Sequence, residues 1–127
     1  MTTSGRFATA VSCIDGRFQT RVIDQVMLRF GVRHVDNVTA PGAVRHLAGT
    51  TTDTGEILLD HVRVSIDAHD STEIAVVAHA GCAGNPVPDA KQKEELRAAK
   101  QVLEDRFPGA TVVALFLDPK IGFEMVR

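Results

Sequence analysis

Two short stretches of the sequence carry side chains that could do chemistry. The first, "SCIDGRFQ", places a thiol, a carboxylate and a guanidinium at alternate positions, which are Cys13, Asp15 and Arg17. The second, "AHAGCAGNP", holds His79 and Cys82, and Cys82 is the second of the chain's two cysteines. Two thiolates and an imidazole suit zinc, and three protein ligands leave a fourth position open, as in catalytic zinc sites. These residue types therefore favour a zinc site on Cys13, His79 and Cys82.

An aspartate and an arginine beside such a site would act on water. Zinc held by thiolates and an imidazole lowers the pKa of a water ligand toward neutrality, which makes hydroxide available as a nucleophile. The Asp15 carboxylate could accept the proton of that water in a hydrogen bond. The Arg17 guanidinium would orient the carboxylate and keep it ionised. Asp15 and Arg17 are therefore candidates for supporting a metal-bound water.

Each of these residues also has an ordinary structural interpretation. Taken singly, Cys13 and His79 are typical of core side chains, and Asp15 with Arg17 is typical of a turn with a surface ion pair. A thiol enzyme with Cys13 as nucleophile is disfavoured, because cysteine-dependent phosphatases need an arginine six positions after the cysteine. Gln19 stands there instead, and no resolving cysteine lies nearby in the sequence. The metal site thus depends on whether the fold brings the two stretches together.

The periodicity of apolar residues predicts the elements that position these stretches. Strands are predicted over 6–11, 32–38, 73–79 and 111–117, with a further edge strand over 121–126. Helices are predicted over 18–29, 56–67 and 89–106, with one helical turn over 43–47. Asp89 is predicted to cap the third helix with Gln92 in capping-box position. Gln19 is predicted to be an exposed glutamine of the first helix.

Alternating strands and helices predict an α/β fold. We expect a Rossmann-like three-layer α/β/α arrangement, whose mostly parallel sheet has four strands in the order 2-1-3-4 and an extra edge strand. In open parallel sheets, functional groups gather at the carboxyl ends of strands, where the strand order reverses. The first and third strands are neighbours in this order, so Cys13 and His79 would follow adjacent strand ends. The two stretches are therefore expected to form one site.

Length and composition exclude several other classes of protein. A chain of 127 residues predicts a single domain over 1–127, and a hydrophobic fraction of 44% suffices for one core. Fourteen basic and sixteen acidic side chains, with no Trp or Tyr, exclude nucleic acid as the expected partner. No apolar run approaches the roughly 18 residues of a membrane span, and the first residues lack the apolar centre of a signal peptide. A cytoplasmic location without membrane association is therefore expected.

The two motifs together resemble those of the β-class carbonic anhydrases, whose sequences carry C-x-D-x-R and later H-x-x-C. Here they read Cys13-Ile-Asp15-Gly-Arg17 and His79-Ala-Gly-Cys82, and the likeness extends from the first strand through the helix after Cys82. The resemblance implies that Cys13, His79 and Cys82 bind one zinc ion per chain and that Asp15 and Arg17 form the catalytic dyad. It also implies reversible hydration of carbon dioxide to bicarbonate by zinc-bound hydroxide.

Two alternatives to this activity stay open on the sequence. The scaffold of the family also serves zinc hydrolases that act on carbonyl sulfide or carbon disulfide, and a non-catalytic zinc-binding module would have Asp15 closing the site. The sequence departs from the family at Asp36, where an arginine usually precedes the asparagine, and at Ala83, where a glycine usually follows the second cysteine. The family's habit of dimerising predicts a homodimer or higher homo-oligomer. The apolar segment 121–126 could pair with another subunit or equally within the chain.

Overall fold

Strands and helices alternate along the chain in the computed structural model, which describes residues 6–49 and 51–127. The strands within those ranges are β1 (Phe7–Cys13), β2 (His34–Ala40), β3 (Glu73–His79), β4 (Thr111–Asp118) and β5 (Gly122–Val126). The α-helices are α1 (Gln19–Phe30), α2 (Asp53–His69) and α3 (Asp89–Arg106), and a short 3₁₀ helix spans Ala43–His46. The predicted elements are therefore confirmed, with bounds that differ by one to three residues at several ends.

The strands form one sheet in the order β2-β1-β3-β4-β5. The first four strands run parallel, and β5 is antiparallel to β4, with Leu115 opposite Met125. The predicted α/β class and the strand order 2-1-3-4 are confirmed, and the extra edge strand pairs within the chain. The chain connects β1 to β2 on one side and reaches β3 on the other, so the strand order reverses between β1 and β3.

Helices cover both faces of the sheet, which gives the predicted three layers. On one face, Val22 and Val26 of α1 pack against Ala10 and Val77. On the other face, side chains of α2 and α3, including Leu59 and Leu96, pack against the sheet residues that alternate with Ala10 and Val77. Because both faces are covered, β1 and β3 are buried on both sides and read as nearly continuous apolar runs in the sequence.

Helix α2 begins earlier than the sequence predicts. Its first residue is Asp53, and the Thr52 side chain accepts a hydrogen bond from the Gly55 N–H at 3.1 Å. Threonine at an N-cap satisfies one of the N–H groups that the first turn leaves unpaired, which stabilises the added turn. The polar run before residue 56 therefore contains a helix start rather than only a loop.

Helix α3 has the predicted bounds but not the predicted cap. Pro88 occupies the N-cap and no side chain caps the helix, so the prediction of Asp89 as cap was wrong. A capping box requires an N–H at the N-cap residue, and proline has none. With Pro88 as the N-cap, Gln92 is the fourth residue of the helix rather than the third, so it makes no capping box. Its side chain is almost completely buried, at 1% exposure.

None of the helices in the described part of the chain combines the length and apolar character that crossing a membrane requires.

Candidate metal centre

The carboxyl ends of β1 and β3 separate from one another. The two strands are paired from Thr9–Ile74 to Val11–Val76 and no further. Beyond that point β1 stays paired with β2 as far as Cys13, and β3 stays paired with β4 as far as His79. A gap therefore opens between β1 and β3 at the point where the strand order reverses, which is where open α/β sheets place their functional groups.

Three side chains converge in this gap. Cys13 and His79 are the last residues of β1 and β3, and Cys82 lies in the turn after β3. One ligand atom from each of them lies within 4.8 Å of the others. The two sulfur atoms are 3.7 Å apart. Two sulfurs that each lie about 2.3 Å from one tetrahedral zinc ion would be about 3.8 Å apart, so the spacing suits a shared zinc ion.

One nitrogen of the His79 imidazole makes a hydrogen bond, and the other could bind a metal ion. Its Nδ1 lies 2.9 Å from the carbonyl oxygen of Ala80, which fixes Nδ1 as the protonated nitrogen of the neutral ring. Its Nε2 is buried and has no hydrogen-bond partner among the described residues. A buried polar atom without a partner is costly, and a metal ion at Nε2 would remove that cost. The three residues therefore fit a zinc ion.

Backbone N–H groups surround the two thiols. The Gly42 N–H donates to Cys13 Sγ at 3.5 Å, the Asn85 N–H donates to the Cys82 carbonyl oxygen at 3.2 Å, and the N–H groups of Gly84 and Asn85 both act on the Cys82 thiol. Burial raises the pKa of Cys82, the neighbouring Cys13 thiol raises it further, and the two N–H groups oppose this by favouring the thiolate. Without a metal ion the protonated thiol is thus favoured at Cys82, so metal binding would be accompanied by proton release.

Two glycines allow the loops after β2 and β3 to cross in contact. A Cβ atom at Gly42 would lie 2.5 Å from the Gly84 carbonyl oxygen, and a Cβ atom at Gly84 would lie 2.6 Å from the Gly42 nitrogen. Gly42 also has a φ of +57°, which favours glycine. This crossing holds the Gly42 N–H beside Cys13 and the Gly84 N–H beside Cys82, so it forms one wall of the site. Ala83, which departs from the family pattern, is exposed.

Asp15 lies at the edge of the cluster and is held by Arg17. The Arg17 guanidinium donates to both carboxylate oxygens, the shortest of these bonds being 2.6 Å, and the Arg17 backbone N–H donates to Oδ1 at 3.0 Å. These bonds lower the pKa of Asp15 to about 2. The carboxylate Oδ2 lies 3.9 Å from His79 Nε2. Asp15 is therefore an ionised hydrogen-bond acceptor directed toward the atom at which a metal ion would bind.

Asp36 lies outside the three-residue cluster. Its Oδ2 accepts hydrogen bonds from Ser65 Oγ at 2.7 Å and from His69 Nδ1 at 2.6 Å, both of which belong to α2. The carboxylate that stands where the family usually has arginine is thus bound between β2 and α2. The next residue, Asn37, donates to the Gln19 side chain and accepts from Ser12 at 3.2 Å.

Three residues around the cluster were not predicted to contribute to it. The ring of Phe18 packs against the His79 imidazole with 4.5 Å between centroids. Gln19 is half-buried and donates to the Cys13 carbonyl oxygen at 2.9 Å, so the prediction of an exposed glutamine was wrong. Gln92 donates to the His79 carbonyl oxygen at 2.7 Å. Helical periodicity carries no signal for these contacts, because they depend on where α1 and α3 meet the strand ends.

Comparison with known proteins identifies the chain's family and its structural relatives. A family model described as "Putative carbonic anhydrase" matches residues 3–127. The fold is similar to that of a crystal structure of carbonic anhydrase from Streptococcus mutans, with a TM-score of 0.62 and 16% identity over 94% of this chain and 81% of that one. It is also similar to β-carbonic anhydrase isoform I from the protozoan Trichomonas vaginalis, with a TM-score of 0.58 and 15% identity over 99% and 87% of the two chains. A search of curated proteins finds no significant match.

Proposed function

The chain belongs to the carbonic anhydrase-like family whose model it matches, and on that premise we propose that it is a zinc-dependent lyase that reversibly hydrates carbon dioxide to bicarbonate. The observation that carries the proposal is the cluster of Cys13, His79 and Cys82, in which a buried imidazole nitrogen has no hydrogen-bond partner in the described part of the chain. The Asp15 carboxylate, which Arg17 holds, lies beside this nitrogen, so the cluster adjoins a fixed acceptor of hydrogen bonds.

We assign the metal to the side chains of Cys13, His79 and Cys82, with one zinc ion per chain. The 3.7 Å spacing of the sulfurs and the free Nε2 support zinc, whose preferred ligands are thiolate and imidazole. Bound there, zinc would act as a Lewis acid and make a nucleophile available from water at neutral pH. Phe18 packs on the His79 ring and Ala80 holds its Nδ1, so the chain itself fixes the orientation of the imidazole.

Asp15 is proposed to accept a hydrogen bond from the reacting water. With a pKa of about 2 the carboxylate is ionised throughout the neutral range, so it can accept a proton in a hydrogen bond but has none to donate. Arg17 holds the carboxylate in one orientation and thereby fixes the direction from which Asp15 accepts a hydrogen bond from water. Arg17 itself is largely exposed, with 67% of its side chain accessible, so substrate could also reach this edge from solvent.

The hydrogen bonds of Asp15 favour an open site over a closed one. For Asp15 to close the site as a fourth ligand, a carboxylate oxygen would have to leave the Arg17 guanidinium, which donates to both oxygens. The non-catalytic alternative is therefore less well supported than the catalytic one. Carbonyl sulfide and carbon disulfide remain alternative substrates that the assay below addresses.

The test is stopped-flow hydration of carbon dioxide by protein of measured zinc content, from about pH 6.5 to about pH 9. The chelated apo-protein serves as the metal control, and Asp15→Asn is the informative variant. Asp118→Asn is its matched control, because Asp118 also lies at the end of a strand and accepts the N–H of the residue two positions later, at 2.8 Å. We expect hydration that depends on zinc, a loss of about 10²-fold in Asp15→Asn with zinc retained, and full activity in Asp118→Asn.

Other outcomes would change the proposal in defined ways. Full activity in Asp15→Asn would remove Asp15 from the reaction. One zinc ion per chain without hydration would refute the carbonic anhydrase activity, and the same samples would then be assayed with carbonyl sulfide and carbon disulfide. A single domain over 1–127, a homo-oligomer and a cytoplasmic location stay predictions; light scattering would measure the oligomeric state.

A further inference from the structure

The backbone carbonyl groups of Cys13 and His79 face the gap between β1 and β3. The next residue of each strand bonds to the outer neighbour, since the Ile14 N–H donates to Ala40 of β2 and the Ala80 N–H donates to Leu117 of β4. Successive residues in a strand direct their backbone groups to opposite sides. The carbonyl groups of Cys13 and His79 are therefore directed toward each other's strand, at the point where β1 and β3 no longer pair.

A glutamine side chain takes the place of the missing partner at each carbonyl. Gln92 of α3 donates its amide N–H to the His79 oxygen at 2.7 Å, and Gln19 of α1 donates to the Cys13 oxygen at 2.9 Å. A buried carbonyl without such a donor would carry a desolvation cost, so both bonds answer a requirement that the gap creates. The two glutamines thus keep the strand ends apart and also provide a hydrogen-bond donor for each carbonyl group.

The two glutamines reach the gap from opposite faces of the sheet. Helix α1 packs on one face and α3 on the other, so the contacts are independent of each other. Each glutamine is also held in place. Gln92 is 1% exposed, and the Gln19 side-chain oxygen accepts a hydrogen bond from Asn37 of β2. A polar side chain this well buried is unusual for a helix face unless it has a specific partner.

We propose that Gln19 and Gln92 are positioning residues that set the separation of Cys13 and His79 and thereby the affinity of the site for zinc. They act on the backbone of two ligand residues rather than on their side chains. Removing either amide leaves a strand-end carbonyl free to shift, and the ligand atom of that residue shifts with it. This inference rests on the proposed metal site and adds to it the residues that fix its dimensions.

The test compares Gln19→Met and Gln92→Met, which keep side-chain length and remove the donor. Gln101→Met is the control, because Gln101 lies on α3, is exposed and its side chain donates within the helix, to Asp105 at 2.9 Å. Zinc affinity is measured by competition with a chromogenic chelator, and the visible absorption of the cobalt-substituted protein reports ligand geometry. Urea unfolding of each apo-protein measures the stability of the fold without metal.

We expect about 10-fold weaker zinc binding and an altered cobalt spectrum in each of the two variants, with Gln101→Met unchanged. Lower apo-protein stability with unchanged zinc affinity and cobalt spectrum would overturn the inference, since the glutamines would then only support the fold. If Gln92→Met does not fold, the half-buried Gln19→Met decides by the same criteria. Failure of the wild-type protein to bind zinc would overturn the proposed metal site itself. Failure of the positioning role alone would instead leave zinc binding by the wild-type protein intact.

Discussion

The crossing of the loops after β2 and β3 makes a quantitative prediction about Gly42. Gly42→Ala combines two separate costs, a positive φ of +57° and a Cβ atom 2.5 Å from the Gly84 carbonyl oxygen. Gly31 and Gly84 separate these costs. Gly31 has a φ of +62° and no atom of the described residues within 4 Å of its Cβ position, whereas Gly84 has the close contact without a positive φ. The alanine variants of Gly31 and Gly84 therefore measure the two costs separately, and the alanine variant of Gly42 measures them together.

The expected magnitudes follow from these geometries. Gly31→Ala should lower the free energy of unfolding by about 1–2 kcal/mol, the cost of a left-handed conformation for an L-residue. Gly84→Ala should lower it by about 1–3 kcal/mol, because backbone atoms must move to relieve the contact. Gly42→Ala should lose about 2–5 kcal/mol, a large fraction of the stability of a small domain. It should also bind zinc more weakly, because Gly42 carries the N–H that donates to Cys13.

The assay is urea unfolding followed by circular dichroism, carried out on the apo-proteins so that metal binding does not contribute. The decisive comparison is Gly42→Ala against Gly31→Ala, since both change a glycine of similar φ. Equal losses in these two variants would refute the close approach of the loops. If Gly42→Ala lowers the stability but leaves the zinc affinity unchanged, the crossing of the loops does not contribute to metal binding.

Three further predictions concern the rest of the fold. The Arg106 guanidinium lowers the pKa of Glu56, so this ion pair stabilises the protein above the ordinary carboxyl pKa of 4.5 and loses its contribution as the pH falls through the lowered value. Glu56→Gln should therefore flatten the acid side of the stability–pH curve slightly, since both side chains are about half exposed, and an unchanged curve would contradict this. Thr9→Val removes a hydroxyl bonded to Ser65 and Ser71 at 2.7 and 2.8 Å and should cost about 1–3 kcal/mol in urea unfolding, whereas the same change at the exposed Thr111 should cost little. Thr52→Ala should cost about 1 kcal/mol by loss of the α2 cap, and equal stability of both proteins in urea would show that the cap is not needed.

The strand order and the meeting of the two motifs could be predicted because they follow from coarse patterns. The run from Ile74 to Ala78 is apolar, and the strand spans Glu73–His79 as predicted. Alternating elements imply parallel strands, and parallel strands place Cys13 and His79 at one edge of the sheet. The structure brings these residues and Cys82 together, as expected from that topology.

The residues around the cluster could not be predicted, for reasons that Gln92 illustrates. Gln92 lies three residues after Asp89, the spacing of a capping box, but the N-cap is Pro88, so Gln92 is the fourth residue of the helix and falls outside the box position. Its actual partner, the His79 carbonyl, becomes accessible only because the pairing of β1 with β3 ends at Val11 and Val76. Such a contact depends on the geometry of the folded sheet, and the local sequence carries no signal for it.

The separation of β1 and β3 also has a kinetic consequence. Cys13 belongs to β1, and its metal-binding partners lie at the end of β3 and in the turn that follows, so the site is incomplete until two segments far apart in sequence have met. Forming such non-local contacts is slow, and the ligands cannot assemble before the central pair of strands does. A metal ion that binds only the completed site would leave the refolding rate unchanged if the meeting of these strands limits that rate. It would instead slow unfolding, because the two strand ends would have to release the ion before the sheet could open at its carboxyl edge.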